Sequence, residues 1–137
     1  MKLILDKNLN LNKEKQNLLS DFCIFCAENL PIENPFKVYL VSNREPYGIA
    51  TTAMYNIGQN ECYIYGKNRS LVDVLRSIAH EMTHMMQDEL GLLVGKIKDA
   101  GGFHEDQANA RAGELLKRFA KSTPARKKLY ESLKNSI

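Results

Sequence analysis

The 137-residue sequence is short of several features, and each shortage excludes a class of protein. No stretch approaches the ~20 consecutive apolar residues that a membrane-spanning helix requires, so no membrane partner is expected. The opening run, Met1-Lys-Leu-Ile-Leu-Asp6, has too short an apolar stretch for a signal peptide and meets a charge at once. There are three cysteines, Cys23, Cys26 and Cys62, and an odd count speaks against a disulfide scaffold. A reducing compartment, and hence a cytoplasmic location, is the expectation. Repeats and low-complexity tracts are absent, which points to one continuous domain over residues 1–137.

What is present is ordinary for a folded chain: 44% hydrophobic and 26% charged residues, enough for a core without staples. The net charge of +3 hides an asymmetry. Residues 111–137 carry eight Lys/Arg against Glu114 and Glu131, a local +6, which leaves −3 for the first 110 residues. A basic tail helix offers a surface for nucleic acid or an acidic partner. The plainer reading, and the preferred one, is a solvated face suited to a helix C-terminus.

Cys23-Ile-Phe-Cys26 has CxxC spacing, but it lies inside a helical pattern of Leu18, Leu19, Phe22, Cys23, Phe25, Cys26 and Leu30. No second cysteine pair exists to complete four ligands. Buried thiols on an apolar helix face are expected, not redox chemistry.

That helix covers residues 12–30 and is stopped by Pro31. Strand-like segments follow at 36–42, 49–55 and 61–65, separated by turn formers, and their short loops favour an antiparallel meander. Ser70 is placed as an N-cap, with Asp73 three residues on. Leu71, Val74, Leu75, Ile78, Met82, Met85 and Met86 then form the stripe of a long helix ending at Gly91. Residues 92–102 hold Gly95, Gly101 and Gly102 and read as a loop. A further helix runs from His104 or Glu105 to Ala120, and Thr123-Pro124 starts a short basic helix over 123–137. The expected fold is α+β, with an N-terminal helix, a small three-stranded antiparallel sheet and then helices, its core within 36–120.

The segment that carries chemistry is His80-Glu81-Met82-Thr83-His84. Residues four apart on a helix lie about 40° apart and ~6 Å along the axis, so both imidazoles can meet one ion. Glu81 is offset and suits a base acting on metal-activated water better than a third ligand. The polar residues Asp73, Ser77 and Asp88 on the same helix agree with a face turned to a cleft. The competing reading is two histidines that are spaced by four through chance. A catalytic zinc takes three protein ligands and leaves one position open. The third must come from downstream, where His104 and Glu105 are adjacent. Neighbours on a helix diverge by about 100°, so one of the two faces the metal. Serine or cysteine nucleophilic catalysis has little support, because no G-x-S-x-G is present and no cysteine has an evident His partner.

The HExxH helix, followed about twenty residues later by Glu105-Asp-Gln-Ala108-Asn109-Ala110-Arg-Ala112-Gly-Glu114-Leu115-Leu116, resembles the plan of the gluzincin zinc metallopeptidases. The sequence is most similar to compact members, including the ImmA-type peptidases of mobile elements and small HExxH proteins encoded by bacteriophages. The matching part covers about residues 61–120. The resemblance implies a zincin-like fold, Zn2+ as cofactor, peptide-bond hydrolysis of a polypeptide substrate, and a host-cytoplasm or virion location if phage-encoded. It implies Glu105 as third ligand and Asn109 as the acceptor that orients a ligand imidazole. The thermolysin branch more often has Asp at that position. A metzincin pattern is not met, since Gln87 and Leu90 stand where it needs Gly and His.

His104 is then an oxyanion donor near the metal, an alternative ligand in a three-histidine site, or a plain exposed residue at a helix start. In gluzincin-like domains the edge strand beside the cleft pairs with an extended substrate, which implies the strand bearing Tyr63 and Tyr65 as a substrate ledge. The tyrosine side chains themselves are expected to pack over the core with wet hydroxyls. Two other functions remain in view: a zinc-containing virion or assembly protein without turnover, and a SprT-like nucleic-acid-associated protease. The basic tail motivates the latter, yet no zinc ribbon is present.

Overall fold

The computed structural model describes residues 1–93, 102–122 and 137. The chain begins with a strand, β1 (Lys2–Leu5), followed by α1 (Lys13–Asn29), β2 (Lys37–Val41), a 3-10 turn at Glu45–Tyr47, β3 (Ala53–Asn56), β4 (Glu61–Tyr65), α2 (Leu71–Glu89) and α3 (Phe103–Ser122). The expected basic helix over 123–137 lies outside the described residues except for Ile137, as does most of the expected 92–102 loop.

The fold is α+β as expected, but the sheet differs from the predicted three-stranded meander. Among the described residues it has four strands in the order β1-β2-β4-β3, with β1–β2 and β2–β4 parallel and β3–β4 antiparallel. Two physical causes account for this. First, Lys2–Leu5 is too short to show a period of its own, and its pairing comes from β2, with Leu3 opposite Val38 and Leu5 opposite Leu40. Asp6 ends that strand by accepting from the Ser42 hydroxyl at 2.6 Å. Second, residues 42–52 do not form a tight hairpin. Pro46 starts a 3-10 turn that Gly48 closes at φ +72°, and β3 begins at Ala53, not at 49. This long connection carries β3 past the place that β4 takes beside β2. The 57–60 turn then returns the chain, with Gly58 at φ +82°.

The helices follow their sequence signals. Asn12 caps α1 by accepting from the Lys15 amide at 2.8 Å, and Ser70 caps α2 by accepting from the Asp73 amide at 3.3 Å. Gly91, at φ +72°, ends α2. The apolar stripes of α1 and α2 bury Leu19, Phe22, Leu75 and Ile78 against Val38, Leu40, Cys62 and Ile64 of the sheet. Each such side chain contributes roughly 1.5–3 kcal/mol on burial. Helix α3 closes the core from outside. Phe119 sits edge-on to Phe22 and Phe25, with ring centroids 4.9 and 5.4 Å away.

All three cysteines are free and buried. Burial pushes the Cys23 thiol up to about 12 and the thiols of Cys26 and Cys62 well above their usual value. These are packing side chains with little thiolate character.

Candidate metal centre

His80 and His84 lie one turn apart on α2, ring centroids 4.9 Å from each other. The helix reaches this point because its opposite stripe, Ile78, Met82 and Met85, is fixed in the core. Glu105 comes from the first turn of α3, where a carboxylate is favoured by the helix dipole. Its two oxygens divide between the rings: Oε2 lies 3.3 Å from His80 Nε2 and Oε1 lies 2.6 Å from His84 Nε2. Among the described residues, His80, His84 and Glu105 form a group whose ligand atoms all fall within 4.8 Å of one another.

Each imidazole has a second partner. Asn109, one turn beyond Glu105, is set beside His80 on the lining of the same cleft. His84 Nδ1 is 2.8 Å from Oε1 of Gln87. Burial, and then the neighbouring His84, hold the His80 imidazole below its usual pKa. It is therefore disposed to be neutral, the state in which a ring nitrogen offers a lone pair.

The donor set fits a zinc ion. His84 Nε2 is buried and lies 2.6 Å from a carboxylate oxygen, yet it makes no hydrogen bond in the required geometry. The ring nitrogen is therefore not aimed at that oxygen, and a cation to which both are directed would satisfy the two donors together. Two imidazoles and one carboxylate are three protein ligands of the kind that catalytic zinc sites use.

Glu81 lies beside this group with 6% of its surface exposed, and among the described residues its Oε2 has no hydrogen-bond partner. Desolvation first, and then the Glu105 charge, push its carboxyl up to about 8. A carboxyl poised near neutrality can both take and return a proton.

These groups line a cleft of about 860 Å³. One wall is α2 from Asp73 to His84, and the other is the chain from 50 to 57, including β3. Tyr55 on β3 donates to Asp88 at 2.5 Å, and the Gly58 amide donates to the same carboxylate oxygen at 2.8 Å. Asp88 thereby ties the β3–β4 hairpin to the helix that carries the histidines.

A scan of protein-family models matches none, and no curated protein matches in sequence. The structure is similar to the crystal structure of a Wss1 mutant from Saccharomyces cerevisiae. The likeness has a TM-score of 0.50 and 13% sequence identity, and it covers 89% of this chain and 92% of that one. The two chains share a fold.

Three of the residues singled out in the sequence, Tyr63, Tyr65 and His104, lie outside the ligand group and outside the lining of the cleft. Strand β4 is paired on both sides, by β2 and β3, so the strand of Tyr63 and Tyr65 has no free edge for a substrate. Tyr63 instead stacks on Tyr39 at 4.5 Å and Tyr47 at 5.2 Å, and Arg44 lies over Tyr65 at 4.1 Å. The edge beside the cleft is β3. His104 is outside the group of ligand atoms; its ring meets Phe103 edge-on, and its main-chain carbonyl accepts from Gln87. Gln87 itself was legible only as a departure from a metzincin pattern, although its place three residues after His84 puts it on the same side of the helix.

Proposed function

We propose that this chain is a zinc-dependent endopeptidase of gluzincin type, formed as a single minimal domain. The observation that carries the reading is the convergence of His80, His84 and Glu105 within 4.8 Å, beside a buried Glu81. Zinc held by these three side chains would supply a Lewis acid that brings the pKa of a water to about 7. Glu81 takes the proton of the attacking water and returns it to the leaving amine, a role that its buried place beside the three ligands suits. Asn109 keeps His80 in orientation. The free edge of β3 holds the substrate as an added strand, reading main chain more than side chains. A polypeptide is therefore the partner.

Metal analysis by mass spectrometry, with a peptide-cleavage assay, tests this. Near-stoichiometric zinc is expected in the wild type and in His104→Ala, and is lost in Glu105→Ala. Glu81→Gln keeps its zinc while kcat falls by about 10²–10⁴. A zinc-free wild type, or loss of zinc only in His104→Ala, overturns the ligand set. Full cleavage by Glu81→Gln overturns the mechanism.

A further inference from the structure

Gln87 is a fully buried amide, with 0% of its surface exposed. A buried amide is costly unless its donors and acceptor are met, and here each of them is. Its Nε2 lies 3.0 Å from the His104 main-chain oxygen and 2.8 Å from Gln107 Oε1, and its Oε1 lies 2.8 Å from His84 Nδ1. A main-chain carbonyl only accepts, so the amide nitrogen must be the end that faces α3. The oxygen is then the end that faces His84, and Nδ1 must carry a proton to donate to it. That leaves Nε2, 2.6 Å from Glu105 Oε1, as the ring nitrogen available to a metal ion.

The same amide reaches both sides of the third ligand. His104 and Gln107 bracket Glu105 on the first turns of α3, and both accept from Gln87. One side chain therefore fixes which ring nitrogen of His84 is protonated and where the turn bearing Glu105 sits. His80 is served differently, since its partner Asn109 comes from α3 and not from its own helix. The two helices are thus joined on either side of Glu105, by Gln87 at His104 and Gln107 and by Asn109 at His80.

We infer that Gln87 is the positioning residue of this centre, holding His84 with its proton on Nδ1 while anchoring the turn of α3 that presents Glu105. The inference rests on the metal reading given above and adds to it the residue that makes the site competent before an ion arrives. Gln87→Met keeps the length of the side chain and removes all three hydrogen bonds. Gln87→Glu keeps an acceptor for His84 but sets a second oxygen against the His104 carbonyl, so it separates the two tasks.

The test reads zinc affinity and the ring proton, neither of which needs peptide turnover. Competition with a chromophoric chelator is expected to show zinc dissociation constants raised about 10–100-fold in Gln87→Met, and by less in Gln87→Glu. In ¹⁵N NMR of the metal-free wild type, His84 shows a protonated Nδ1 protected from exchange. In Gln87→Met the Nδ1 position loses its acceptor and its protection from exchange, a change that a purely packing role would not produce. An unprotonated Nδ1 in the wild type overturns the inference even if Gln87→Met fails to fold. Zinc affinity in Gln87→Met within threefold of wild type also overturns it, as does a wild type that takes no zinc. A wild type that binds zinc with Nδ1 protonated but cleaves no peptide rejects the peptidase and leaves the role of Gln87 standing.

Discussion

Helix α1 spans 17 residues and α2 spans 19, and each begins with a polar side chain that accepts an amide three residues on. Each also carries two side chains of metal-ligand type near one helical turn apart, Cys23 and Cys26 on α1, His80 and His84 on α2. In α1 both thiols face the core and meet no cation, so desolvation carries Cys23 up to about 12, out of the range where a thiolate forms. In α2 the imidazoles face Glu105, a charge delivered by a different helix. The same desolvation acts on Glu81, but it starts from a carboxyl value and moves it to about 8, into the range useful for proton transfer. Ligand spacing on one helix is thus necessary and not sufficient. A second element that supplies the opposing charge decides the outcome.

Helix α3 packs on both but brings its charge only to α2, and the comparison can be broken there. Its C-terminal half covers α1 through Phe119, and its first turns meet α2 through Glu105 and Asn109. Phe119→Ala is expected to cost about 3–5 kcal/mol in urea unfolding, as a fully buried aromatic does. Zinc affinity of the folded protein should stay close to wild type, because Phe119 touches no ligand. Equal loss of zinc in Phe119→Ala and Glu105→Ala would show that α3 acts as one body and that its two halves are not separate devices.

Glu81 sharpens the contrast between the two kinds of buried acid. Its folded-state pKa, about 8, lies above the ordinary 4.5, so between those values the folded protein holds a proton that the unfolded chain has released. The contribution of Glu81 to the stability of the metal-free protein is therefore full below pH 4.5 and declines as pH rises from 4.5 to 8. Glu81→Gln removes that decline and stabilises the metal-free protein at pH 8 by about 1–3 kcal/mol. Thermal unfolding in chelator across this range gives the answer. A wild-type profile as flat as that of Glu81→Gln would mean that Glu81 is solvated and unlike Cys23 in kind.

The legible part of this molecule is the part written in local rules. Asn12, Ser70 and Gly91 mark the helix ends found in the structure, and the four-residue spacing of His80 and His84 puts them on one face. Placing Glu105 opposite them came through resemblance, since position alone left it level with His104. The sheet was less legible because its order is set by long-range pairing. Nothing within Lys2–Leu5 announces a partner 35 residues away, and nothing in 61–65 shows that β4 would be enclosed by β2 and β3. The difference bears on the proposed substrate ledge, because the free edge beside the cleft is β3 and not the strand of Tyr63 and Tyr65. Gln87 was hidden for a related reason: its partners, His104 and Gln107, belong to another helix.

The smallest expected effect concerns the rule that the two helices share. Asn12 meets the Lys15 amide at 2.8 Å and Ser70 meets the Asp73 amide at 3.3 Å, so the first cap is the better formed. Replacing either by alanine removes one acceptor from an exposed helix end, a loss of typically about 1 kcal/mol. Asn12→Ala should reach that figure, and Ser70→Ala should fall below it, in paired urea-unfolding measurements. Zinc content should be unchanged in both, since neither cap touches a ligand. If the order is reversed, the start of α2 depends on Ser70 more than its hydrogen-bond length indicates. Arg69 would then be the first place to look, because it bonds the Tyr65 carbonyl at 2.7 Å and Ser77 at 2.9 Å across that same helix start. The two helices would then differ at their caps as well as at their ligands, and the charge that α3 supplies would no longer be the sole distinction between them.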